Sequence, residues 1–468
     1  MNTAPSDIGR RPGFAGRPPA RPPQFAARSP RAAGTGVVHP NAGSPRHARL
    51  VVLRDRVRWT LIFSAFFAFT GGVVASRLAI GQPLILIGVA GLLIQTQRLR
   101  VGPVPTLLAL WTTWAAIGYV TSPYPDVVWP ALQQLLKLCV ITFVGVNALR
   151  TRGQIRAYCL FVLFAFLIYP ARGTLLNWLT GALVANGSRA VWNGVYGNPN
   201  DLAGICLLIL AVALAIVVSD RDRRVRLGAL ATAGLVSFLI FISQSRGALI
   251  ALGVFVVALL VRMPARQRAR AAFVTGALGA VVVLFAPSSV WERLSGLRNV
   301  TDTSNMAQVD PEGSADQRLE IWKVARTIIA EHPITGVGVG AYPEEHGIVA
   351  VRPAFRPTAR GKRDTHSMYF NVMAETGVPG FFLFMIILVT TARYAGRVRR
   401  RVRIAFPLGA LQIQFLQLGL LAFCIAGIWG SYAKMNILYL YLVLLWATAK
   451  VYEGEAARAG ALAPQRGR

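Results

Sequence analysis

The residues best suited to chemistry lie between Ala315 and Gly380, in a polar stretch that separates two hydrophobic regions of the chain. This stretch carries three of the five histidines, namely His332, His346 and His366. His366 stands where the polar stretch ends, and arginine and lysine residues precede it. A neutral imidazole near lipid headgroups can accept a proton from a hydroxyl group at neutral pH. We therefore treat His366 as the candidate general base.

Arginine side chains near the ends of the apolar runs are the candidate anion-binding groups. Arg246 stands in the sequence ISQSRGALIAL, which predicts a very short turn between two apolar helices. A guanidinium group held there can bind a phosphate through two hydrogen bonds, and Gly247 would let a backbone approach. The alternative is a snorkelling side chain that caps a helix end. Arg189 lies in another polar connection, where a functional and a structural role are equally compatible with the sequence. In the same connection, Asn198 and Asn200 are predicted to cap the next helix.

A third set of candidates lies on a helix within the polar stretch. Ser314 and Gln317 have the spacing of a capping box, which predicts a helix that ends before Pro333. Arg318 falls in its first turn and Arg326 lies two turns later, so either one can face an anionic ligand or solvent. The helix is predicted to be amphipathic. Its predicted apolar face consists of Leu319, Trp322, Ala325 and Ile329.

The sequence does not indicate a nucleotide, metal or disulfide site. Gly336, Gly338 and Gly340 have no strand–helix unit around them, so they predict a flexible turn. The histidines of the stretch lack short metal-ligand spacing. All four cysteines fall inside apolar runs, where they are expected to be small core residues.

The composition predicts that these residues are positioned by membrane helices. Hydrophobic residues make up 54% of the 468 residues, and long apolar runs recur along the chain. A formal net charge of +31 at pH 7 is compatible with nucleic-acid binding. The charges lie between the apolar runs instead of along one groove, so they indicate membrane topology and no nucleic acid. We therefore predict an all-α polytopic membrane protein.

Twelve membrane spans are predicted, and their boundaries follow the apolar runs. The spans are Trp59 to Ser76, Leu78 to Gln95, Val104 to Val120, Ala131 to Leu149, Ala157 to Leu179, Asp201 to Ser219, Leu227 to Ser243, Gly247 to Val261, Ala271 to Pro287, Met368 to Thr391, Phe406 to Trp429 and Tyr432 to Val451.

The basic residues predict the orientation of these spans. Alternate connections carry clusters of arginine, for example from Arg221 to Arg226 and from Arg393 to Arg403, and such clusters mark cytoplasmic connections. Both termini are then cytoplasmic. The predicted organisation comprises a disordered cytoplasmic tail rich in proline and arginine (1–58), nine membrane helices (59–287), a large periplasmic loop (288–366), three further membrane helices (367–451) and a second cytoplasmic tail (452–468).

Three motifs around the polar stretch carry a resemblance to a known family. They are SRG at Ser245 to Gly247, QRLEIW followed by HPITGVGVGAY, and HSMYFNVMAETGVPG. In order and spacing they resemble the O-antigen ligase and polymerase family of bacterial membrane glycosyltransferases, which includes the protein O-oligosaccharyltransferases. The resemblance is clearest from Asn198 to Gly380. One departure is Ser367, because the family often has Asn after the histidine.

The resemblance implies a C-type, metal-independent enzyme that inverts the anomeric carbon and needs no cofactor. Its donor would be a glycan linked to undecaprenyl diphosphate, and its site would lie on the periplasmic side of the bacterial inner membrane. Arg246 and Arg318 match family arginines that hold the diphosphate, and His366 matches the catalytic histidine. Arg189 is a further candidate for diphosphate binding. The candidates for a supporting role are Asp364 and Glu375.

The sequence does not identify the acceptor. A lipid A-core sugar makes the enzyme an O-antigen ligase, which the breadth of the family favours. Another lipid-linked glycan makes it a polymerase, and a Ser or Thr side chain makes it a protein O-glycosylation ligase. A flippase for lipid-linked glycans would also need arginines at membrane depth, although it would not need a histidine on a large loop. A proton-coupled transporter is disfavoured because the carboxylates cluster in the predicted outer loop.

Overall fold

The computed structural model describes residues 61–74, 81–94, 99–185, 188–192, 197–263, 268–269, 276 and 314–460. All of them lie within one compact unit, Val51–Arg468. The predicted disordered tail 1–58 lies outside the described residues. So does the predicted span from Ala271 to Pro287, apart from Gly276.

Apolar runs in this chain fold as helices, because a helix satisfies its backbone hydrogen bonds within one segment. The helices before the large loop are α1 (Leu61–Val74), α2 (Gly81–Leu93), α3 (Pro103–Thr121), α4 (Pro125–Ala148), α5 (Arg152–Phe166), α6 (Arg172–Thr180), α7 (Pro199–Ser219), α8 (Arg223–Ile242) and α9 (Arg246–Arg262). A π-helical turn that contains Pro170 joins α5 to α6. A short antiparallel pair, β1 (Val184–Ala185) and β2 (Arg189–Ala190), precedes α7.

The remaining helices follow the large loop or lie within it. They are α10 (Ser314–Glu331), α11 (Tyr342–Val349), α12 (Met368–Val402), α13 (Pro407–Ala426) and α14 (Asn436–Arg458). Three short 3-10 turns lie at Pro357–Ala359, Gly427–Trp429 and Tyr432–Lys434. The helix predicted to run from Ser314 to a point before Pro333 is confirmed as α10.

Eight segments among the described residues are long and apolar enough to cross a membrane. They comprise α3, α4, the combined α5 and α6, α7, α8, α12, α13 and α14. This confirms an all-α polytopic membrane protein. The helices α1 and α2 coincide with the first two predicted spans, but they are shorter. The total of twelve spans stays a prediction.

The centre of the bundle is formed by the most buried helices. The membrane-length window of α7 has a mean hydropathy of 3.0 and is 78% buried, and that of α14 is 83% buried. The α7 helix packs against α8 and α13, while α12 packs against α3, α13 and α14. The same helices carry the connections in which the candidate residues lie.

A kink divides α12 soon after it begins. Gly377 has φ 69° and ψ −178°, which lies outside the helical region and is accessible to glycine. A Cβ atom at this position would overlap the carbonyl oxygen of Ile334. The amide nitrogen of Val378 donates to the carbonyl oxygen of Pro333 at 2.8 Å. The large loop therefore inserts its backbone into the break in the helix.

The glycine-rich turn after α10 is fixed to the same kink. All three of its glycines have positive φ values, 67° at Gly336, 99° at Gly338 and 86° at Gly340. The amide nitrogen of Gly338 donates to the carbonyl oxygen of Glu375 at 3.0 Å, and that of Val337 donates to Ala374 at 3.0 Å. The predicted turn is thus confirmed, but the expectation that it is flexible is wrong, because backbone hydrogen bonds attach it to α12.

The predicted apolar face of α10 is wrong in part. Leu319 is 41% exposed. Trp322 and Ile329 are half-buried, and only Ala325 of the predicted set is fully buried. The buried apolar residues that the structure describes in this helix are Ile321, Val324, Ala325 and Ile328. The predicted face and the observed buried face both have helical spacing. The observed face is buried because α10 packs against α11 and α12.

Candidate functional site

Arg189 lies on β2 and is almost completely buried, at 6% exposure. Its Nε atom donates to the carbonyl oxygen of Ser243 at 2.9 Å, and its Nη2 atom donates to Oδ1 of Asn200 at 3.0 Å. A buried guanidinium group keeps its charge and needs such acceptors. Arg189 therefore connects the turn before α9 with the first turn of α7.

The start of α7 is organised by two asparagines. The Oδ1 atom of Asn198 accepts from the amide nitrogen of Asn200 at 2.9 Å, so the predicted capping role is confirmed for Asn198. Asn200 instead directs its side chain to Arg189, and its carbonyl oxygen accepts from the hydroxyl group of Tyr432 at 2.6 Å. The first turn of α7 thus joins Arg189 to the turn that precedes α14.

The predicted short turn before Arg246 is confirmed, because α8 ends at Ile242 and α9 begins at Arg246. Gln244 adopts φ 53° and donates from Nε2 to the hydroxyl oxygen of Ser188 at 2.9 Å. The expectation that a backbone approaches Gly247 is wrong. The nearest neighbour of a Cβ atom there is the side chain of Trp429, at 2.9 Å.

His366 is held between two anchored neighbours. Its backbone has φ 49°, a left-handed conformation that is uncommon outside glycine and concentrates at functional sites. The hydroxyl group of Thr365 donates to the carbonyl oxygen of Ser367 at 2.9 Å and lies 3.1 Å from the hydroxyl oxygen of Ser431. Trp322 of α10 donates from Nε1 to the carbonyl oxygen of Thr365 at 2.9 Å. The imidazole is therefore presented by a fixed backbone where α10 meets the turns before α12 and α14.

The electrostatic surroundings of His366 favour the neutral imidazole. Burial lowers the pKa of His366, and the positive charges of Arg318 and Arg363 lower that pKa further. The carboxylate of Asp364 raises the pKa of His366, without reversing the direction of the shift. Burial is the larger cause of this lowered pKa, and the basic neighbours contribute to it.

Tyr432 interacts with several of the candidate residues. Its phenol is buried, and burial raises the pKa of Tyr432 well above its ordinary value. The carboxylate of Asp201 raises the pKa of Tyr432 further, while Arg318 and Arg189 lower it. The positive charge of Arg318 therefore influences the pKa of both Tyr432 and His366.

Arg246 begins α9, a helix that contacts a turn close to Tyr432 along the chain. It follows the Ser243 turn that Arg189 binds, and α9 contacts the 3-10 turn at Gly427–Trp429. Arg318 is half-buried, whereas Arg326 on the same helix is exposed. Of the two arginines of α10, only Arg318 therefore faces the site.

The two supporting candidates differ in their contacts. Asp364 is exposed, and its Oδ1 atom accepts from the amide nitrogen of Thr365 at 2.9 Å. Glu375 is buried, at 2% exposure. Its Oε1 atom accepts from Lys434 at 2.8 Å and from Asn371 at 3.1 Å. Glu375 therefore ties α12 to the 3-10 turn that carries Tyr432.

Comparison with known protein families gives a match between residues 231–385 and the profile described as O-antigen ligase. This match supports the resemblance to the O-antigen ligase family, and we call residues 231–385 the O-antigen ligase domain. The matched segment begins within α8 and ends within α12, so it contains Arg246, Arg318 and His366. Arg189 and Tyr432 lie outside it. No curated protein matches the chain in a sequence search.

The other two histidines of the O-antigen ligase domain form structural contacts. His346 is fully buried, burial lowers its pKa, and its Nδ1 atom lies 2.9 Å from the carbonyl oxygen of Gly361. The Nε2 atom of His332 lies 4.0 Å from Oε1 of Glu345. Each histidine therefore links two segments of the large loop.

One group of side chains in the O-antigen ligase domain has the composition of a metal site. The ligand atoms of Glu331, His332 and Glu345 lie within 4.8 Å of one another. Arg352 forms an ion pair with Glu331, and the hydroxyl group of Tyr124 donates to Oε2 of Glu345 at 2.6 Å. These partners occupy the carboxylate oxygens, so we interpret the group as an ion-pair cluster that fixes the loop to the start of α4.

Sequence reasoning missed Tyr432 and Asp201 as members of the site. It assigned Tyr432 to the start of the last span and Asp201 to the start of the sixth. The contact between Tyr432 and Asn200 joins residues 232 positions apart, and no local pattern reports it. The signal that was available is the position of Asp201 directly after NPN, in the same connection as Arg189.

Proposed function

We propose that the protein transfers a glycan from undecaprenyl diphosphate to an acceptor hydroxyl group at the periplasmic face of the bacterial inner membrane. The proposal is supported by one observation above all. Arg318, within the O-antigen ligase domain, acts electrostatically on both His366 and the buried Tyr432, which also interacts with Arg189. A candidate base and candidate anion-binding groups thereby share one site.

The arginines are suited to the diphosphate of the donor. A diphosphate leaving group needs positive charge near its oxygens, and fixed guanidinium groups in a partly dry site supply it without reorganisation. Arg318 and Arg246 are assigned to direct contact with the diphosphate. Arg189 adds positive charge and fixes the turn that presents Arg246 through its hydrogen bond to Ser243.

His366 is suited to activate the acceptor. Because its pKa is lowered, the imidazole is neutral near pH 7 and has a free lone pair. It takes the proton of the acceptor hydroxyl group while the acceptor oxygen bonds to the anomeric carbon. The bond between this carbon and the diphosphate oxygen breaks, and undecaprenyl diphosphate leaves with that electron pair. Attack from the face opposite to the leaving group inverts the anomeric carbon.

The supporting residues have indirect roles in this scheme. Asp364 tunes the basicity of His366 through its charge. Glu375 positions the Tyr432 turn through its ion pair with Lys434. The arginines take the charge-neutralising role that a metal ion fills in many phosphate-processing enzymes, so transfer should continue in the presence of a chelator.

The acceptor is assigned to a lipid A-core sugar, which makes the protein the O-antigen ligase of lipopolysaccharide assembly. The description of the matched family supports this choice. Analysis of the glycans of a deletion strain tests it. Loss of long chains from lipopolysaccharide is expected. Shortening of the chains to one repeat would instead indicate a polymerase, and unmodified pilin-like proteins would indicate a protein O-glycosylation ligase.

The alternative hypothesis, that the protein is a flippase, is tested with the purified protein in liposomes. Donor and acceptor are placed on the same outer face, and the glycan product is measured with and without a chelator. A transferase forms product under both conditions. A flippase forms none, since it only moves the donor across the bilayer. Product that disappears with the chelator would contradict the metal-independent mechanism.

A further inference from the structure

A polar pocket of about 540 Å³ opens at the far end of the bundle from the candidate site. It is lined by the start of α5, the connection from α7 to α8, the connection from α12 to α13, and Tyr452 of α14. The α7 helix begins beside Arg189 and ends in the wall of the pocket after 21 residues. Such a helix spans about 30 Å, roughly the thickness of the hydrocarbon layer.

Three arginines line this pocket, and each has a different environment. The guanidinium carbon of Arg152 lies 4.5 Å from the ring centroid of Phe406 and 4.8 Å from that of Tyr452, and Arg152 also pairs with Glu455. The Nε atom of Arg156 donates to Oδ2 of Asp220 at 2.5 Å. These two side chains are held in place by their partners.

Arg221 is the arginine of the lining whose positive charge can interact with a ligand. It lies in the connection between α7 and α8 and is exposed. It forms no ion pair with any residue in the described part of the chain. The lining also contains the apolar residues Phe406 and Leu408, and Leu408 is 52% exposed. The pocket therefore offers the exposed guanidinium group of Arg221 together with apolar surface on which a hydrocarbon chain can lie.

We propose that this pocket binds the phosphate group of an anionic phospholipid from the adjacent leaflet. Arginine binds phosphate oxygens through paired hydrogen bonds, and basic pockets between membrane helices are suited to anionic headgroups. The apolar surface favours a lipid over a soluble phosphate, because it would cover the first part of an acyl chain. On the predicted orientation, the lipid comes from the cytoplasmic leaflet.

The test compares the lipid affinity of two variants, one at Arg221 in this connection and one at Arg223, the exposed first residue of α8. Purified full-length protein in uncharged detergent is titrated with phosphatidylglycerol or phosphatidylcholine, and bound lipid is counted by native mass spectrometry. The wild type is expected to prefer phosphatidylglycerol. Arg221→Gln should weaken the binding of phosphatidylglycerol about tenfold, since a charge-assisted contact to phosphate is lost.

Arg223→Gln is the matched control, because Arg223 is also exposed but lies outside the pocket lining. It removes the same charge and should leave the affinity within about twofold of the wild type. Equal losses in both variants would contradict the proposal, as would equal affinity of the wild type for the two lipids. If inorganic phosphate displaces phosphatidylglycerol at equal concentration, the ligand is a soluble phosphate and the assignment to a lipid is overturned.

Discussion

Tyr432 donates a hydrogen bond from its phenolic hydroxyl group to the carbonyl oxygen of Asn200, at 2.6 Å. The side chain of Asn200 accepts from Arg189 at 3.0 Å, so one residue of α7 receives both groups. This relationship joins the turn before α14 to the connection that contains Arg189. The position of the proposed diphosphate site therefore depends on a contact between segments that are far apart in the sequence.

Removal of this hydroxyl group should affect both stability and transfer. Tyr432→Phe leaves the carbonyl oxygen of Asn200 without its donor, which is expected to cost about 1–3 kcal/mol of folding free energy. Transfer should fall because Asn200 and Arg189 lose their fixed positions. Tyr441→Phe is the matched control, since Tyr441 donates to the carbonyl oxygen of Leu416 at 2.7 Å within the bundle. Thermal unfolding and glycan transfer are measured for both variants, and equal loss of transfer would contradict the special role of Tyr432.

The two arginines of α10 should differ in their effect on transfer. Arg318→Gln is expected to lower the rate of transfer about 10²–10³-fold, because positive charge at the developing diphosphate is lost. Arg326→Gln changes an exposed residue of the same helix, so its rate should stay near that of the wild type. Rates are measured in membranes at matched protein levels. If the Arg326 variant is impaired as strongly as the Arg318 variant, the specific role of Arg318 is contradicted. The positive charge of the whole helix would then support transfer.

Substitution of two neighbours of His366 should shift the acid limb of the pH–rate profile of transfer in opposite directions. Transfer requires the neutral imidazole, so the rate falls as the pH drops through the pKa of His366, which lies below 6.5. Asp364→Asn removes the group that raises this pKa, so the fall should move to lower pH. Arg363→Gln removes a group that lowers the pKa of His366, so the fall should move to higher pH.

Initial rates between about pH 4.5 and 8.5, about two units to either side of the ordinary histidine pKa, measure both shifts. A fall that stays at the same pH in both variants would show that a group other than His366 controls the profile.

The kink in α12 should tolerate only glycine at its centre. Gly377→Ala places a Cβ atom against the carbonyl oxygen of Ile334 and forces alanine into φ 69°. We expect a loss of at least about 1–3 kcal/mol of folding free energy from backbone strain alone. Gly253→Ala is the control, because the structure describes open space around Gly253 in α9. Its stability should stay the same or rise slightly. Thermal unfolding distinguishes the two, and a neutral Gly377 variant would contradict the described geometry.

Local patterns were sufficient for the elements whose partners lie nearby in the sequence. The cap at Asn198 and the turn before Arg246 depend on residues within one or two positions, so composition and spacing predicted them correctly. The helix that starts at Ser314 was predicted for the same reason. The membrane class follows from the hydrophobic content, because long apolar runs have few alternatives to membrane helices.

Features that depend on distant packing were not predicted. Ile321 is buried and Leu319 is exposed because of what packs against α10, and helical spacing alone is compatible with either face. The neighbour of Gly247 is Trp429, which lies far along the chain. The break at Gly377 also needs the loop backbone around Ile334, which a span prediction from hydropathy does not contain.

The measurement that tests the central claim most directly is glycan transfer by purified His366→Ala in liposomes that contain a polyprenyl-diphosphate-linked donor and a hydroxyl acceptor. We predict a rate at least about 10²-fold below that of the wild type, the minimum expected for loss of a general base. His332→Ala, which removes a half-exposed histidine of the same loop, should retain transfer. Wild-type rates in the folded His366 variant would contradict the account.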